Sequence, residues 1–104
     1  MLAMINERMS QYRFGKVQKE ILIRLAHGLK LGFKKIKSTM LNEVINKKLG
    51  VEIHPNNFRA SCDTLEERGL IMRHKEGFDW YLNITPEGFD QAIKWINQDT
   101  KERK

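Results

Sequence analysis

Apolar positions along the chain alternate between helical and strand periods. Val17, Ile21, Leu22 and Leu25 share one face of a helix predicted over 16–27, and Gly28 stands where a left-handed C-cap belongs. Upstream, Leu2, Ile5 and Met9 recur at helical spacing, so residues 1–15 read as an N-terminal arm or short helix, marginal by itself. In GLKLGFKKIK (28–37), Phe33 and Ile36 can anchor a short strand. Ser38 or Thr39 then offers an N-cap oxygen to a helix with Leu41, Val44, Ile45 and Leu49 inward and Gly50 as its stop. VEIH (51–54) is a turn, and Pro55 suits a first helical position. The helix that follows carries Phe58, Cys62 and Leu65 on one side and ends at Arg68-Gly69.

The period then shortens to two. Leu70–Lys75 and Trp80–Ile84 read as strands around a Gly-containing tip, KEGFD (75–79), with Trp80, Leu82 and Ile84 on one face. Thr85 supplies a cap oxygen, Pro86 the first turn, and Glu87 a favourable charge for the start of a last helix. Phe89, Ala92, Ile93 and Ile96 form that helix's apolar face, and QDTKERK (98–104) is expected to fray. The order is helix, short strand, helix, turn, helix, hairpin, helix. This is an α+β, mainly helical chain in one domain over 1–104, with its core over 16–97.

Composition narrows the classes. At 104 residues, 40% hydrophobic and 31% charged, the chain suits a single globular domain rather than a disordered one. Its one cysteine, Cys62, cannot form an internal disulfide, which suits a reducing, cytoplasmic setting. No apolar run approaches the ~20 residues that span a bilayer. The start, MLAMINERMSQYR, lacks the pattern of a signal peptide. The three histidines lie on separate elements and no metal-ligand spacing is present, so neither a metal site nor a cofactor is expected, and catalysis finds no constellation to carry it.

Charge points to an anionic partner. The net charge is +6, with a pI near 9.6. Residues 1–37 hold nine Lys/Arg against two acids, while 38–104 hold ten against eleven, so the excess lies in the first third. Lys30, Lys34, Lys35 and Lys37 lead directly into the helix over 38–49.

The runs LNEVINKKLGVEIHPNNFRASCDTLEERGLI (41–71) and YLNITPEG (81–88) resemble the winged helix-turn-helix regulators of bacteria and archaea, and among them the MarR and PadR groups. The shared features are a helix ending in Leu65-Glu66-Glu67-Arg68-Gly69-Leu70-Ile71, a hairpin wing, and then Ile84-Thr85-Pro86-Glu87-Gly88. The resemblance implies a sequence-specific double-stranded DNA-binding protein acting as a dimeric transcriptional regulator. The segment Pro55–Arg68 would enter the major groove, offering Arg59 first, then Asn57, with Asn56, Ala60 and Asp63, to base edges. His54 stands where such domains usually place a Ser or Thr cap.

Phosphate contacts are expected from Lys30, Lys34, Lys35, Lys37, Ser38, Thr39 and Ser61, and from Arg73 and Lys75 on the wing. The wing tip is formally neutral because Glu76 and Asp79 offset Arg73 and Lys75, so affinity is expected to lean on the lysine-rich segment. The resemblance also implies pairing through both ends of the chain: Leu2, Ile5 and Met9 with Phe89, Ile93, Trp95 and Ile96. Two alternatives stand beside it. One is a plasmid or viral replication or partition protein; the other is a winged helix whose reading face meets a protein.

Overall fold

In the computed structural model, residues 14–102 are described, with side chains described through residue 98. Among the described residues, four helices and a three-stranded antiparallel sheet follow in the order α1 (Lys16–Lys30), β1 (Ile36–Lys37), α2 (Ser38–Leu49), α3 (Pro55–Glu67), β2 (Ile71–Glu76), β3 (Asp79–Ile84) and α4 (Pro86–Glu102). This is the winged helix-turn-helix arrangement: α2 and α3 form the helix-turn-helix, and β2 and β3 form the wing. Leu2, Ile5 and Met9 lie outside the described residues.

The core gathers one face from each element. Ile21, Leu22, Leu25 and Ala26 of α1 meet Leu41 and Ile45 of α2 and Phe58, Cys62 and Leu65 of α3; Ile71, Leu82 and Ala92 close it from the sheet and α4. Each fully buried Leu or Ile side chain among them contributes about 1.5–3 kcal/mol. The sheet order is β1-β3-β2, with Ile36 opposite Leu82 and Ile71 opposite Ile84, so one sheet face lies on the helices.

Local chemistry departs from the sequence reading at several boundaries. Gly28 is not a C-cap. Helix α1 runs on to Lys30, and Gly28 is buried within it, where a Cβ would come 2.9 Å from Ile36 Cδ1. The glycine lets the chain returning toward β1 pack against the helix. Phe33 takes no part in the strand, which is only two residues long, and its side chain is exposed. Neither Ser38 nor Thr39 caps α2; both lie inside it, and Lys37 occupies the cap position with no side-chain cap bond. The hairpin tip is tighter than the five residues expected, because the strands run to Glu76 and from Asp79 with only Gly77-Phe78 between them. Gly77 has φ of +64° and Phe78 does not have a positive φ, the sign pattern of a II′ turn. Helix α4 continues through Glu102, beyond Gln98, where a loose tail was expected.

The Thr-Pro-Glu-Gly motif closes the wing onto its base. Thr85 Oγ1 accepts from Gly88 N at 3.0 Å and donates to Gly69 O at 2.7 Å. Thr85 N in turn donates to Leu70 O at 3.1 Å. One residue therefore caps α4 and ties its start to the chain leaving α3. A Cβ at Gly88 would overlap the Leu70 carbonyl oxygen, so only glycine permits that approach.

Candidate nucleic-acid interface

Phe58, Cys62 and Leu65 are buried, which fixes the rotation of α3. The opposite side follows by helical geometry: Asn56, Asn57, Arg59, Ala60 and Asp63 are all exposed. Ser61 is half-buried at the flank. His54 is the N-cap, and its Nδ1 accepts from Asn56 N at 3.0 Å. An imidazole nitrogen thus does the work usually given to a hydroxyl. Burial pushes the Cys62 thiol up to about 12, with Arg73 pulling the other way and Asp63 and Glu66 adding to the rise.

The angle between α2 and α3 is held by residues the sequence reading passed over. Asn46 Oδ1 accepts from Ile53 N at 2.9 Å, and Asn42 Nδ2 donates to Ile53 O at 3.5 Å. Two side chains on successive turns of α2 therefore hold both backbone groups of one residue in the turn. Gly50, at φ +67°, allows the reversal between the helices.

Arg73 does not hang free on the wing. Its Nε and Nη2 donate to Glu66 Oε1 at 3.0 and 2.8 Å, its backbone N donates to Glu66 Oε2 at 3.2 Å, and Nη2 lies 2.5 Å from Asp63 Oδ1. Partial burial opposes the Arg73 charge, but the bonds to Glu66 and Asp63 outweigh it and hold the pKa above its ordinary value. This alters two expectations. The cation proposed for a phosphate and the carboxylate proposed for a base edge neutralise each other, and together they join β2 to α3.

The lysine-rich segment and the wing are likewise one surface. Lys35 Nζ lies 2.5 Å from Glu76 Oε2 and 4.8 Å from the Tyr81 ring centroid; Lys37 Nζ lies 3.4 Å from Asp79 Oδ1. His74 Nε2 is 2.6 Å from the same Glu76 oxygen, and its ring stacks on Tyr81 at 5.8 Å. Hydrogen bonds from Lys35 and then His74 hold the Glu76 carboxyl below its usual range. So both acids that make the wing formally neutral are matched by lysines from the adjoining segment.

Strand alternation places His74, Glu76 and Tyr81 on the sheet face away from the core. Arg73, Lys75, Trp80 and Leu82 share the helix side. The Arg73 guanidinium lies 6.0 Å from the Trp80 ring centroid, as that placement requires. Among the described residues, the side chains of Lys30, Lys34, Arg59 and Lys75 have no hydrogen-bond or ion-pair partner.

A cleft of about 600 Å³ separates the helix-turn-helix from the wing. Lys37, Ser38, Thr39 and Asn42 line it from the start of α2, Arg59 and Asp63 from α3, and Phe78, Asp79 and Trp80 from the wing. Arg59 and Asp63, expected at base edges, and Lys37, Ser38, Thr39 and Arg73, expected at phosphates, thus border a single concavity. Asn56, Asn57, Ala60 and Ser61 of α3 do not line it, nor do Lys30, Lys34, Lys35 and Lys75. Two large aromatics there escaped the sequence reading as surface features: Phe78 is 97% exposed and Trp80 49%.

The residues expected to pair two copies divide. Phe89 and Trp95 pack against the core of their own chain. Trp95 meets Phe14 edge-on at 4.8 Å, with Lys19 Nζ 5.6 Å from its ring. Ile93 and Ile96 are half-buried. Trp95 falls off the main apolar stripe because it serves the contact between α4 and the segment leading into α1.

Among the described residues there is no cluster of three or more His, Cys, Asp or Glu able to hold a metal ion, and no helix is long and apolar enough to cross a membrane.

The fold and the cleft define a winged helix-turn-helix domain. Solved structures of RosR from H. salinarum share this fold. One, from crystals grown from NaBr, aligns with a TM-score of 0.73 at 19% identity over 86% of this chain and 76% of that one. Two more are complex structures, hsRosR-S1 and hsRosR-S4, with TM-scores of 0.71 and 0.72, both at 19% identity. Neither a protein-family model nor a curated protein matches the sequence.

Proposed function

We propose that the chain binds double-stranded DNA in a sequence-dependent manner and acts as a dimeric transcription regulator of the MarR/PadR kind. One observation carries the reading: α3 is anchored by Phe58, Cys62 and Leu65 while Arg59, Asn56, Asn57 and Ala60 stand exposed on its other side. An α-helix fits the major groove, where Arg pairs with guanine and Asn with adenine in two-bond geometry. The fold shared with RosR supports the same reading.

Phosphates fall to the groups left over. Lys30, Lys34 and Lys75 are exposed and unpaired among the described residues, and Thr39 borders the cleft. The start of α2 has no side-chain cap, so its first amides can face a phosphate oxygen. Ser38 and Ser61 flank these positions. Lys35 and Lys37 act chiefly by cancelling Glu76 and Asp79, and Arg73 positions the wing. In the dimer, Ile93 and Ile96 of α4 join the N-terminal segment, and two copies of α3 read half-sites about one helical turn apart. No cofactor or catalytic step enters this role, and a reducing cytoplasm suits it.

A salt titration with random duplex DNA tests the class of partner. Each neutralised phosphate contributes about −0.9 to the log–log slope, so Lys30, Lys34 and Lys75 give roughly −2.7 per copy and roughly −5.4 for a dimer. A flat response, or no binding at low salt, contradicts DNA binding and favours a protein partner.

A further inference from the structure

We propose that the hairpin tip is an apolar wedge: Phe78, backed by Trp80, enters the minor groove of a duplex seated on α3 and parts a base step there. The inference rests on the DNA-binding reading above and adds a mechanism to it.

Phe78 is the most exposed large hydrophobic among the described residues, at 97%. It does nothing for the turn. Gly77 supplies the positive φ, and such positions ordinarily take small or polar residues. Its ring finds no cover within its own chain. Trp80, two residues on, is half exposed and borders the same cleft as Arg59. The wing aromatics are therefore continuous with the face assigned to the major groove.

Charge around the tip fits a polyanion. No cation occupies the two-residue turn, so the tip cannot enter the groove as an inserted Arg or Lys. Lys75 is paired in register with Trp80, on the helix side of the sheet, where it can meet a phosphate as the tip enters. The acids that would repel phosphate, Glu76 and Asp79, are held by Lys35 and Lys37. Those ion pairs also brace both ends of the turn against the segment before α2. A wedge needs such bracing, since a compliant tip would fold back rather than open a stack. The minor groove is only about 6 Å wide and admits a two-residue hairpin tip more readily than a helix. Inserted Phe, Leu, Ile or Met side chains unstack base steps and kink the duplex.

The test uses the full chain and a duplex selected by the wild type from a randomised pool, carrying 2-aminopurine at successive steps flanking the major-groove site. The wild type is expected to raise 2-aminopurine fluorescence at one step and to bend the duplex. Phe78→Ala should abolish the signal and weaken binding about tenfold, the loss of one base-stacking contact, while Phe78→Leu retains much of both. An exposed turn residue leaves folding intact in either variant. If the wild type selects a duplex but Phe78→Ala binds it as well, or no step brightens, the wedge is overturned and DNA binding stands. If no duplex is selected, both fall. Binding to phosphatidylserine vesicles that Phe78→Ala abolishes while DNA affinity is unchanged would also overturn it, in favour of a lipid surface.

Discussion

Arg73 on the wing and Glu66 on α3 are joined by three hydrogen bonds, two from the guanidinium at 3.0 and 2.8 Å and one from the backbone amide at 3.2 Å. The pair sets where the wing stands relative to α3. Replacing Glu66 by Ala removes the acceptor for a charged group and for a strand amide together. A loss of about 2 kcal/mol is expected, read from the urea midpoint. DNA affinity should fall further than stability accounts for, because the wing loses its reference to α3. An unchanged midpoint would mean that the pair is solvent-separated.

Thr85 and Gly88 lock the base of the wing. Thr85→Ala removes the cap of α4 and the bond to Gly69 O, at an expected cost of about 1–2 kcal/mol. Gly88→Ala should cost more than that, because the new methyl meets the Leu70 carbonyl rather than a side chain that can move. Thermal melts of the two variants give the ranking directly. The reverse order would show that the backbone at Gly88 yields easily.

Acid should release the wing clamp. The Glu76 carboxyl is held below its ordinary value of 4.5 by Lys35 and His74. A depressed carboxylate contributes stabilisation that is complete above the ordinary value and is lost as pH falls through the folded one. The Lys35–Glu76 contact is therefore present throughout neutral pH and disappears only in acid. Side-chain NMR titration of Glu76 should show a midpoint below 4.5 that rises toward the ordinary value in Lys35→Ala, with His74 still holding part of the depression. An unshifted midpoint in the wild type would contradict the clamp.

Cys62 should be inert. With its thiol pushed up to about 12, on the order of one molecule in ten thousand carries the thiolate at pH 8. Alkylation by iodoacetamide is expected to track global unfolding, accelerating in urea along the unfolding curve. Rapid labelling of the folded chain would show that the base of α3 opens locally.

The helices are legible because their apolar residues repeat with the helical period, and the spacing of Phe58, Cys62 and Leu65 alone fixes the exposed face of α3. Leu-Glu-x-x-Gly-Leu-Ile and Thr-Pro-Glu-Gly marked the two ends of the wing because each encodes a local cap or reversal. The misplaced boundaries have another origin. Gly28 looked like a helix stop because glycine often is one, but here it serves close packing against Ile36, a contact eight residues away that local pattern cannot show. Ion pairing was least legible. Arg73 with Glu66 and Lys35 with Glu76 bring charges together across different elements, and counting charge by segment treats them as free. Two signals were present yet passed over: an aromatic next to the glycine of a tight turn, and asparagines four residues apart on α2 facing the turn.

The central claim is that Arg59 reads a base edge from the exposed side of α3, and base-resolved binding of Arg59→Ala tests it most directly. Site selection with the wild type and the variant should show a loss of about 1–3 kcal/mol at the preferred site, with preference relaxed at one position per half-site and the rest unchanged. A uniform loss across all sequences would reduce Arg59 to a phosphate contact. Unchanged affinity and preference would contradict the account.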